Sequence, residues 1–192
     1  MVKSLGVLND YKIIAIDPST RSLAYAIMDT DNSIIDVGKI DLSSASDIHE
    51  KLNIIGKSLP ILVEKYKPRI AVIEEAVFIQ NFKTSKLISY VIGHTMGILS
   101  SSCKFVIEAN PIVWKSAIGY KKVSKAEKAQ WESEWGVTEG KKIAAKERKE
   151  RVRVIIKETF GKEFEDSLYD SDEIDALAIG VWYNRTAGER WH

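Results

Sequence analysis

The chain has 192 residues, of which 45% are hydrophobic and 29% are charged, and its net charge is +1. This is the composition of an ordinary globular protein, so it argues against disorder, and the length predicts a single domain over residues 1–192. The one cysteine, Cys103, excludes an internal disulfide, and no stretch has the ~18 apolar residues of a membrane span. We therefore expect an intracellular protein without membrane contact.

Three apolar runs separated by short turns predict three antiparallel strands in the first part of the chain. The runs cover Tyr11–Asp17, Leu23–Thr30 and Ser33–Ile40. Two later apolar runs, Arg69–Glu74 and Lys104–Glu108, are typical of buried parallel strands. With helices between and after them, this order predicts an α/β fold with a mixed five-stranded sheet, three strands antiparallel and two parallel, flanked by helices.

Helical spacing and capping residues predict the helices. They are expected at Ser46–Tyr66, at Lys83–Ser102, from Asn110, from Ser124, at Glu139–Phe160 and at Asp172–Ala187. Pro60 lies inside the first of them, where we expect it to kink or split the helix.

Charge is segregated along the second half of the chain. Residues 121–163 carry 13 basic and 8 acidic side chains, a net charge of +5, whereas residues 164–192 carry 2 and 7, a net charge of −5. A basic segment followed by an acidic one suits a protein that binds a polyanion and also a cation. It equally suits a solvated helix face followed by a polar tail.

Four carboxylates lie at the predicted ends of strands or on one helix. Asp17 ends the first strand and Glu74 the fourth, and as neighbours these strands would place both at the carboxyl edge of the sheet. Asp172 and Asp175 are three residues apart and share a helix face. Each of these residues alone has an ordinary explanation as a turn, cap or surface residue. Together they would repel one another, and a divalent cation such as Mg²⁺ or Mn²⁺ would relieve that repulsion.

Three segments of the sequence resemble motifs of one enzyme family. IIAIDPSTRSLAYAI, AVIEEAVFIQN and SDEIDALAIG are similar, in order and spacing, to three motifs of the RuvC-like Holliday junction resolvases, a branch of the ribonuclease H-like nuclease superfamily. The resemblance covers about residues 11–183. Ser19 and Glu173 depart from the family motifs, so we expect a divergent member, viral, phage or organellar.

This resemblance implies a ribonuclease H-like fold and a hydrolase of branched DNA. The expected reaction is the resolution of four-way junctions by paired nicks that leave 5′-phosphate and 3′-hydroxyl ends. Two Mg²⁺ ions, which Mn²⁺ could replace, would be held by Asp17, Glu74, Asp172 and Asp175. Glu75 is the neighbour of Glu74, but alternation along a strand points it to the opposite face.

The resemblance also assigns residues to DNA contact. Lys115 and Lys149 match lysines near the scissile phosphate, where they would offset transition-state charge. Phe78 matches an aromatic residue thought to act as a wedge at the junction centre, and Phe82 is the alternative. Further phosphate contacts are expected along the basic helix, from Lys146, Arg148, Arg151, Arg153 and Lys157.

The family also implies a homodimer, formed through the helix that follows the glutamate. Here that helix is Lys83–Ser102, whose Gly93 and Gly97 would permit close approach of a second helix, although internal packing explains these glycines equally well. The expected location is the cytoplasm or nucleoid, or the host cytoplasm for a virus-encoded protein.

Residues 120–142 would be a helical insertion relative to the family. Trp131 and Trp135 lie four residues apart in it and share a helix face. They could stack on bases or anchor the insertion to the core, and we favour the core.

Other functions remain open on the sequence alone. A broader branched-DNA or flap nuclease would carry the same residues. A non-catalytic junction-binding module would keep the fold, but the intact carboxylate set argues against it. A sugar-kinase or actin-like ATPase shares an opening strand of this kind, yet the chain has no second phosphate loop of the Asp-Gly-Gly-Thr type.

Overall fold

The computed structural model describes residues 11–76 and 81–190, without the side chains of residues 187–190. The described residues form five strands: β1 (Lys12–Pro18), β2 (Ser22–Asp29), β3 (Ile34–Asp41), β4 (Ile70–Glu74) and β5 (Phe105–Ala109). They also form six α-helices: α1 (Ile48–Tyr66), α2 (Phe82–Ser102), α3 (Pro111–Ala117), α4 (Lys125–Trp135), α5 (Val137–Phe160) and α6 (Ser171–Arg190). A short 3₁₀ turn, Asp166–Leu168, precedes α6.

The strands form one sheet in the order β3-β2-β1-β4-β5. The pairs β1–β2 and β2–β3 are antiparallel, whereas β1–β4 and β4–β5 are parallel. This confirms the predicted mixed sheet and makes the first and fourth strands neighbours. The register pairs Ile16 of β1 with Ile73 of β4, so the next residues, Asp17 and Glu74, follow side by side.

Helices cover both faces of the sheet. Ile14 and Ile16 of β1 pack with α1 and α2, whereas Ile13 and Ala15, which alternate with them, pack with α3, α5 and α6. Helix α6 approaches the sheet closely at Gly180, where an added Cβ would lie 2.5 Å from Met28 Sδ. The absence of a side chain at Gly180 therefore lets α6 lie close to β2.

Helix α1 runs unbroken through Pro60. At the start of α1, the side chain of Asp47 accepts a hydrogen bond from Glu50 N. Lys67 ends the helix in the left-handed conformation with φ 51°. The buried residues Ile55, Leu59 and Val63 fix the helix to the sheet on both sides of the proline. Because this packing outweighs the lost backbone hydrogen bond, the expected split at Pro60 does not occur.

Helices α4 and α5 form a hairpin around Gly136, which has φ 80°. The two helices approach so closely that a Cβ on Gly140 would lie 2.7 Å from Glu132 N. Trp131 is partly buried, but Trp135 is 64% exposed, and α4 has no buried residue. The interpretation of both tryptophans as core anchors is therefore wrong for Trp135, because α4 packs on α5 rather than on the sheet.

None of the helices in the described part of the chain combines the length and the hydropathy of a membrane span.

Candidate active site

The four predicted carboxylates lie at one edge of the sheet, where α6 begins. Asp17 follows Ala15 by two residues and Glu74 follows Val72 by two, so strand alternation turns both toward the face covered by α6. Burial raises the pKa of Asp17 well above its usual value, and the nearby carboxylates of Asp175, Glu74 and Asp172 raise it further. The four side chains therefore share one electrostatic site.

Burial is also the main reason that the pKa of Asp175 rises to about 6. The charges of Glu74 and Asp172 add to this rise, while the cations Lys115 and Lys149 oppose it. Burial raises the pKa of Glu74 as well, against the opposing effects of Lys115 and of a hydrogen bond from Trp114. Three of the carboxylates are thus destabilised in their charged form, which is the situation that a bound cation relieves.

Trp114 and Lys115, adjacent in α3, both reach this site. The fully buried indole of Trp114 donates a hydrogen bond of 2.8 Å from Nε1 to Glu74 Oε2. The ammonium of Lys115 lies 4.7 Å from the centre of the Trp114 ring. Helix α3 therefore fixes one carboxylate and supplies one cation.

Asp172 is positioned by three polar neighbours. Its Oδ2 accepts a hydrogen bond of 3.4 Å from the Ser22 hydroxyl of β2, and its Oδ1 accepts one of 3.1 Å from Ser171. The ammonium of Lys149 lies 3.6 Å from Asp172 Oδ1 and 2.6 Å from Ser171 Oγ. The side chain of Lys149 thus extends from α5 to the start of α6.

Two further contacts hold the elements that carry the site. Asn110 caps α3 by accepting from Ile112 N and Val113 N, and its amide donates to Glu75. Glu75 therefore braces α3, whereas Glu74 belongs to the carboxylate set. On the other side, Lys39 of β3 pairs with Asp170, whose Oδ1 caps the first turn of α6.

A divalent cation fits this site by donor chemistry, since four carboxylates supply hard oxygen ligands and burial disfavours the charged form of Asp17, Glu74 and Asp175. Within residues 11–76 and 81–190, however, no three Asp, Glu, His or Cys side chains have the arrangement of a formed metal site. The residues thus provide the charge and the ligand type, but their side chains do not form a ligand shell in this structure.

The predicted DNA-contacting residues differ in where they lie relative to the carboxylates. Lys115 and Lys149 lie at the carboxylates, and Lys146 and Arg148 are exposed on α5. The alternative wedge residue Phe82 is 80% exposed at the start of α2. Phe78 lies outside the described residues.

Arg151, Arg153 and Lys157 instead have partners within the chain. Arg151 pairs with Glu147 of α5 at 2.8 Å and with Glu127 of α4 at 2.5 Å. Arg153 donates to the carbonyl oxygens of Asp166 and Tyr169, and Lys157 pairs with Asp166 at 2.8 Å. These cations join helices and turns of the chain, and their contact with DNA stays a prediction.

Sequence reasoning missed several residues of the site. Trp114, Ser22 and Tyr120 reach it only because the fold brings α3 and the β1–β2 turn to the sheet edge. The one local signal was the position of Trp114 directly before Lys115. Tyr120 lines a cavity of about 260 Å³ beside Asp175, while a larger cavity of about 410 Å³ lies away from the carboxylates, between β3 and α1.

Comparison with known proteins assigns the chain to a family. Residues 13–134 match the family model described as crossover junction endodeoxyribonuclease RuvC. The chain belongs to the RuvC family. The matched range contains Asp17, Glu74 and Lys115, and it ends before Lys149, Asp172 and Asp175.

Individual RuvC proteins agree with this assignment. The chain is 30% identical over 112 residues to RuvC of Rickettsia bellii, covering 56% of this chain and 71% of the relative. It is 30% identical over 122 residues to RuvC of Fusobacterium nucleatum, covering 62% of this chain and 63% of the relative. The match thus spans less than two thirds of the F. nucleatum protein.

The fold also matches solved RuvC structures over nearly the whole chain. T. thermophilus RuvC, solved in complex with Holliday junction substrate, superposes with a TM-score of 0.71 at 14% identity, covering 94% of this chain and 96% of that one. The yeast mitochondrial Holliday junction resolvase Ydc2 superposes with a TM-score of 0.52 at 14% identity, covering 96% and 84%. These matches include α5 and α6, which the family model does not reach, and they confirm the predicted fold class.

Proposed function

We propose that this RuvC-family protein is an endonuclease that resolves four-way DNA junctions by paired, metal-dependent nicks. The observation that carries the proposal is the convergence of Asp17, Glu74, Asp172 and Asp175 at one sheet edge, where burial raises the pKa values of Asp17, Glu74 and Asp175. The family assignment supports the substrate class. Two Mg²⁺ ions, replaceable by Mn²⁺, are the proposed cofactors, and the products are 5′-phosphate and 3′-hydroxyl ends.

The chain's own residues would do most of the positioning. Bound divalent ions would supply activation of the attacking water and stabilisation of the leaving 3′-oxygen. The indole of Trp114 holds the Glu74 carboxylate in place, and Ser22 and Ser171 hold that of Asp172. Lys115 and Lys149 lie where their charges can offset the negative charge that builds up on the phosphate in the transition state.

The proposed DNA surface extends from the site along the exposed side of α5. Lys146 lies one helix turn before Lys149 and Arg148 is its immediate neighbour; both are exposed there and are the proposed DNA contacts beside the nick. Phe78 stays the proposed wedge at the junction centre, with Phe82 as the alternative.

A homodimer is part of the proposal, since symmetric nicking of a junction needs two active sites. Gly93 and Gly97 lie on the exposed side of α2, and the Cβ positions of both open onto space without neighbours within 4 Å. Internal packing therefore does not explain this pair of glycines, whereas the close approach of a second α2 would.

The test compares cleavage of four-way, three-way, flap and linear DNA in Mg²⁺ by the wild-type protein and by Asp175→Asn. We expect the wild type to nick the four-way junction and the variant to lose at least ~10³-fold in rate while it still binds the junction. Glu108→Gln, which removes an exposed carboxylate from β5, is the matched control and should cleave normally.

Each arm of this assay has a distinct meaning. Equal cleavage of flaps and four-way junctions would favour a broader branched-DNA nuclease. Binding without cleavage in any divalent ion would favour a junction-binding module. Undiminished cleavage by Asp175→Asn would refute the proposed site.

A further inference from the structure

The cavity beside the carboxylates is lined by residues of two chemical kinds. Lys115, Lys149 and Asp175 belong to the proposed active site. The rest of the lining comes from Tyr120, Arg148, Val152 and Ala145. Lysines at a carboxylate site suit a phosphate, but the rest of the lining offers an aromatic ring, a guanidinium plane and methyl groups, which a phosphate would not use.

Tyr120 and Arg148 are both held in place within the chain. The backbone N–H of Tyr120 donates to Lys115 O at 2.9 Å, and its partly buried ring packs against the core under α6. Arg148 Nε donates to Ala144 O at 3.1 Å, which fixes one edge of the guanidinium group. The two side chains are therefore positioned without a ligand, as expected of a binding site.

The size of the cavity limits what it can hold. Its volume is about 260 Å³, slightly below the roughly 300–1,000 Å³ of pockets for drug-sized ligands. A single base is a planar ligand of suitable size, and it can stack on an aromatic ring while a guanidinium group forms hydrogen bonds along its edge.

We propose that this cavity receives the base of a nucleotide next to the scissile phosphate, so that Tyr120 holds the base and Arg148 determines the cleavage-sequence preference. The inference rests on the proposed nuclease function, because the shared residues Lys115, Lys149 and Asp175 place the cavity directly beside the phosphate to be cut. Tyr120 supplies the stacking surface, and Arg148 discriminates between bases.

The test measures cleavage of four-way junctions that are randomised at the nucleotides flanking the nick, with the products sequenced. We expect the wild type to prefer one base at one flanking position. Arg148→Gln should reduce that preference at least about fivefold, the factor that one bidentate contact provides. Tyr120→Ala should lower kcat/KM for all bases, whereas Tyr120→Phe should retain it.

Lys146→Gln is the matched control, since it removes an exposed cation from the same helix and should lower cleavage of all sequences uniformly. Thermal unfolding of each variant checks that it is folded. A wild type that cleaves without flanking preference, an Arg148→Gln protein with the wild-type preference, or a Tyr120→Ala protein with the wild-type kcat/KM would overturn the inference alone. A wild type that cleaves no branched DNA in Mg²⁺ or Mn²⁺ would overturn the nuclease function as well.

Discussion

Asp175 lies between Ile174 and Ala176, both of which are buried against the sheet. A carboxylate on such a helix loses hydration, and here it also faces the charges of Glu74 and Asp172. Its charged form is therefore unfavourable in the folded protein unless a cation is bound. The chain keeps this residue at a cost to stability, as is common for functional sites.

Replacing Asp175 by Asn should stabilise the metal-free protein at neutral pH. The pKa of Asp175 is raised from 3.8 to about 6, so the folded state binds the proton more tightly than the unfolded state does. The wild type therefore loses stability as the pH rises from about 4 to about 6, and the variant avoids this loss. After solvent screening, we expect a gain of about 1–2 kcal/mol in the free energy of unfolding at pH 7 in EDTA.

The measurement is urea unfolding of both proteins at pH 4 and pH 7, with and without Mg²⁺. The difference between variant and wild type should be small at pH 4 and largest at pH 7. Mg²⁺ should stabilise the wild type and not the variant. A variant less stable than the wild type at pH 7 in EDTA would contradict the repulsion described here.

At the scale of single residues, the sequence predicts the carboxylates but not their partners. Asp17 and Glu74 end apolar runs, and Asp175 interrupts one, so each leaves a local signal. Ser22 leaves none and Trp114 leaves only its position before Lys115, because their contacts with Asp172 and Glu74 join positions that are distant in the chain. The ion pairs of Arg151 with Glu127 and Glu147 likewise could not be predicted from the basic run in which it lies.

Helices α4 and α5 are joined by close packing at Gly140 rather than by buried apolar side chains of α4. Gly140→Ala would place a methyl group 2.7 Å from Glu132 N, and backbone atoms of α4 cannot yield as a flexible side chain would. The higher helix propensity of alanine offsets part of this strain. We therefore expect a net loss of about 1–2 kcal/mol in the free energy of unfolding, measured by urea denaturation.

Lys141→Ala is the control for this prediction, because it changes an exposed residue of the same helix turn. It should alter stability by no more than about 0.5 kcal/mol. Equal stability of Gly140→Ala and the wild type would mean that α4 does not stay packed on α5 in solution.

At the scale of elements, the sequence pattern predicts those strands and helix ends that depend on neighbouring residues in the chain. The apolar runs identify all five strands, and the Ser124–Glu127 capping box marks the start of α4 as expected. Pro60 was expected to kink or split α1, and the helix is not split because tertiary packing outweighs the lost backbone hydrogen bond. The exposure of Trp135 could not be predicted from the sequence either, because the spacing places two tryptophans on one helix face without showing which element covers that face.

For the whole molecule, the exposed face of α2 carries the proposed dimer contact. Gly93→Leu should convert the dimer to a monomer, because a leucine side chain would separate the two helices where close approach is needed. The fold should persist, since the Cβ position of Gly93 has no neighbour within 4 Å. Sedimentation of both proteins at matched concentration, with a thermal unfolding check, measures the change.

Lys57→Leu on the exposed side of α1 is the matched control and should leave the sedimentation unchanged. A wild type that sediments as a monomer at micromolar concentration, or a Gly93→Leu protein that remains dimeric, would remove α2 from the proposed interface. If Gly93→Leu is monomeric as expected, its cleavage of a four-way junction should yield single rather than paired nicks.

The central claim for the whole molecule is that the sheet carries Asp17 and Glu74 to the same place as α6 carries Asp172 and Asp175, so that divalent ions bind among them. A crystal structure of the protein soaked in Mn²⁺, with anomalous diffraction, tests this directly. The account predicts anomalous peaks between these four carboxylates, with their oxygens as ligands. Peaks only elsewhere, or four side chains turned apart with no ion between them at saturating Mn²⁺, would contradict it.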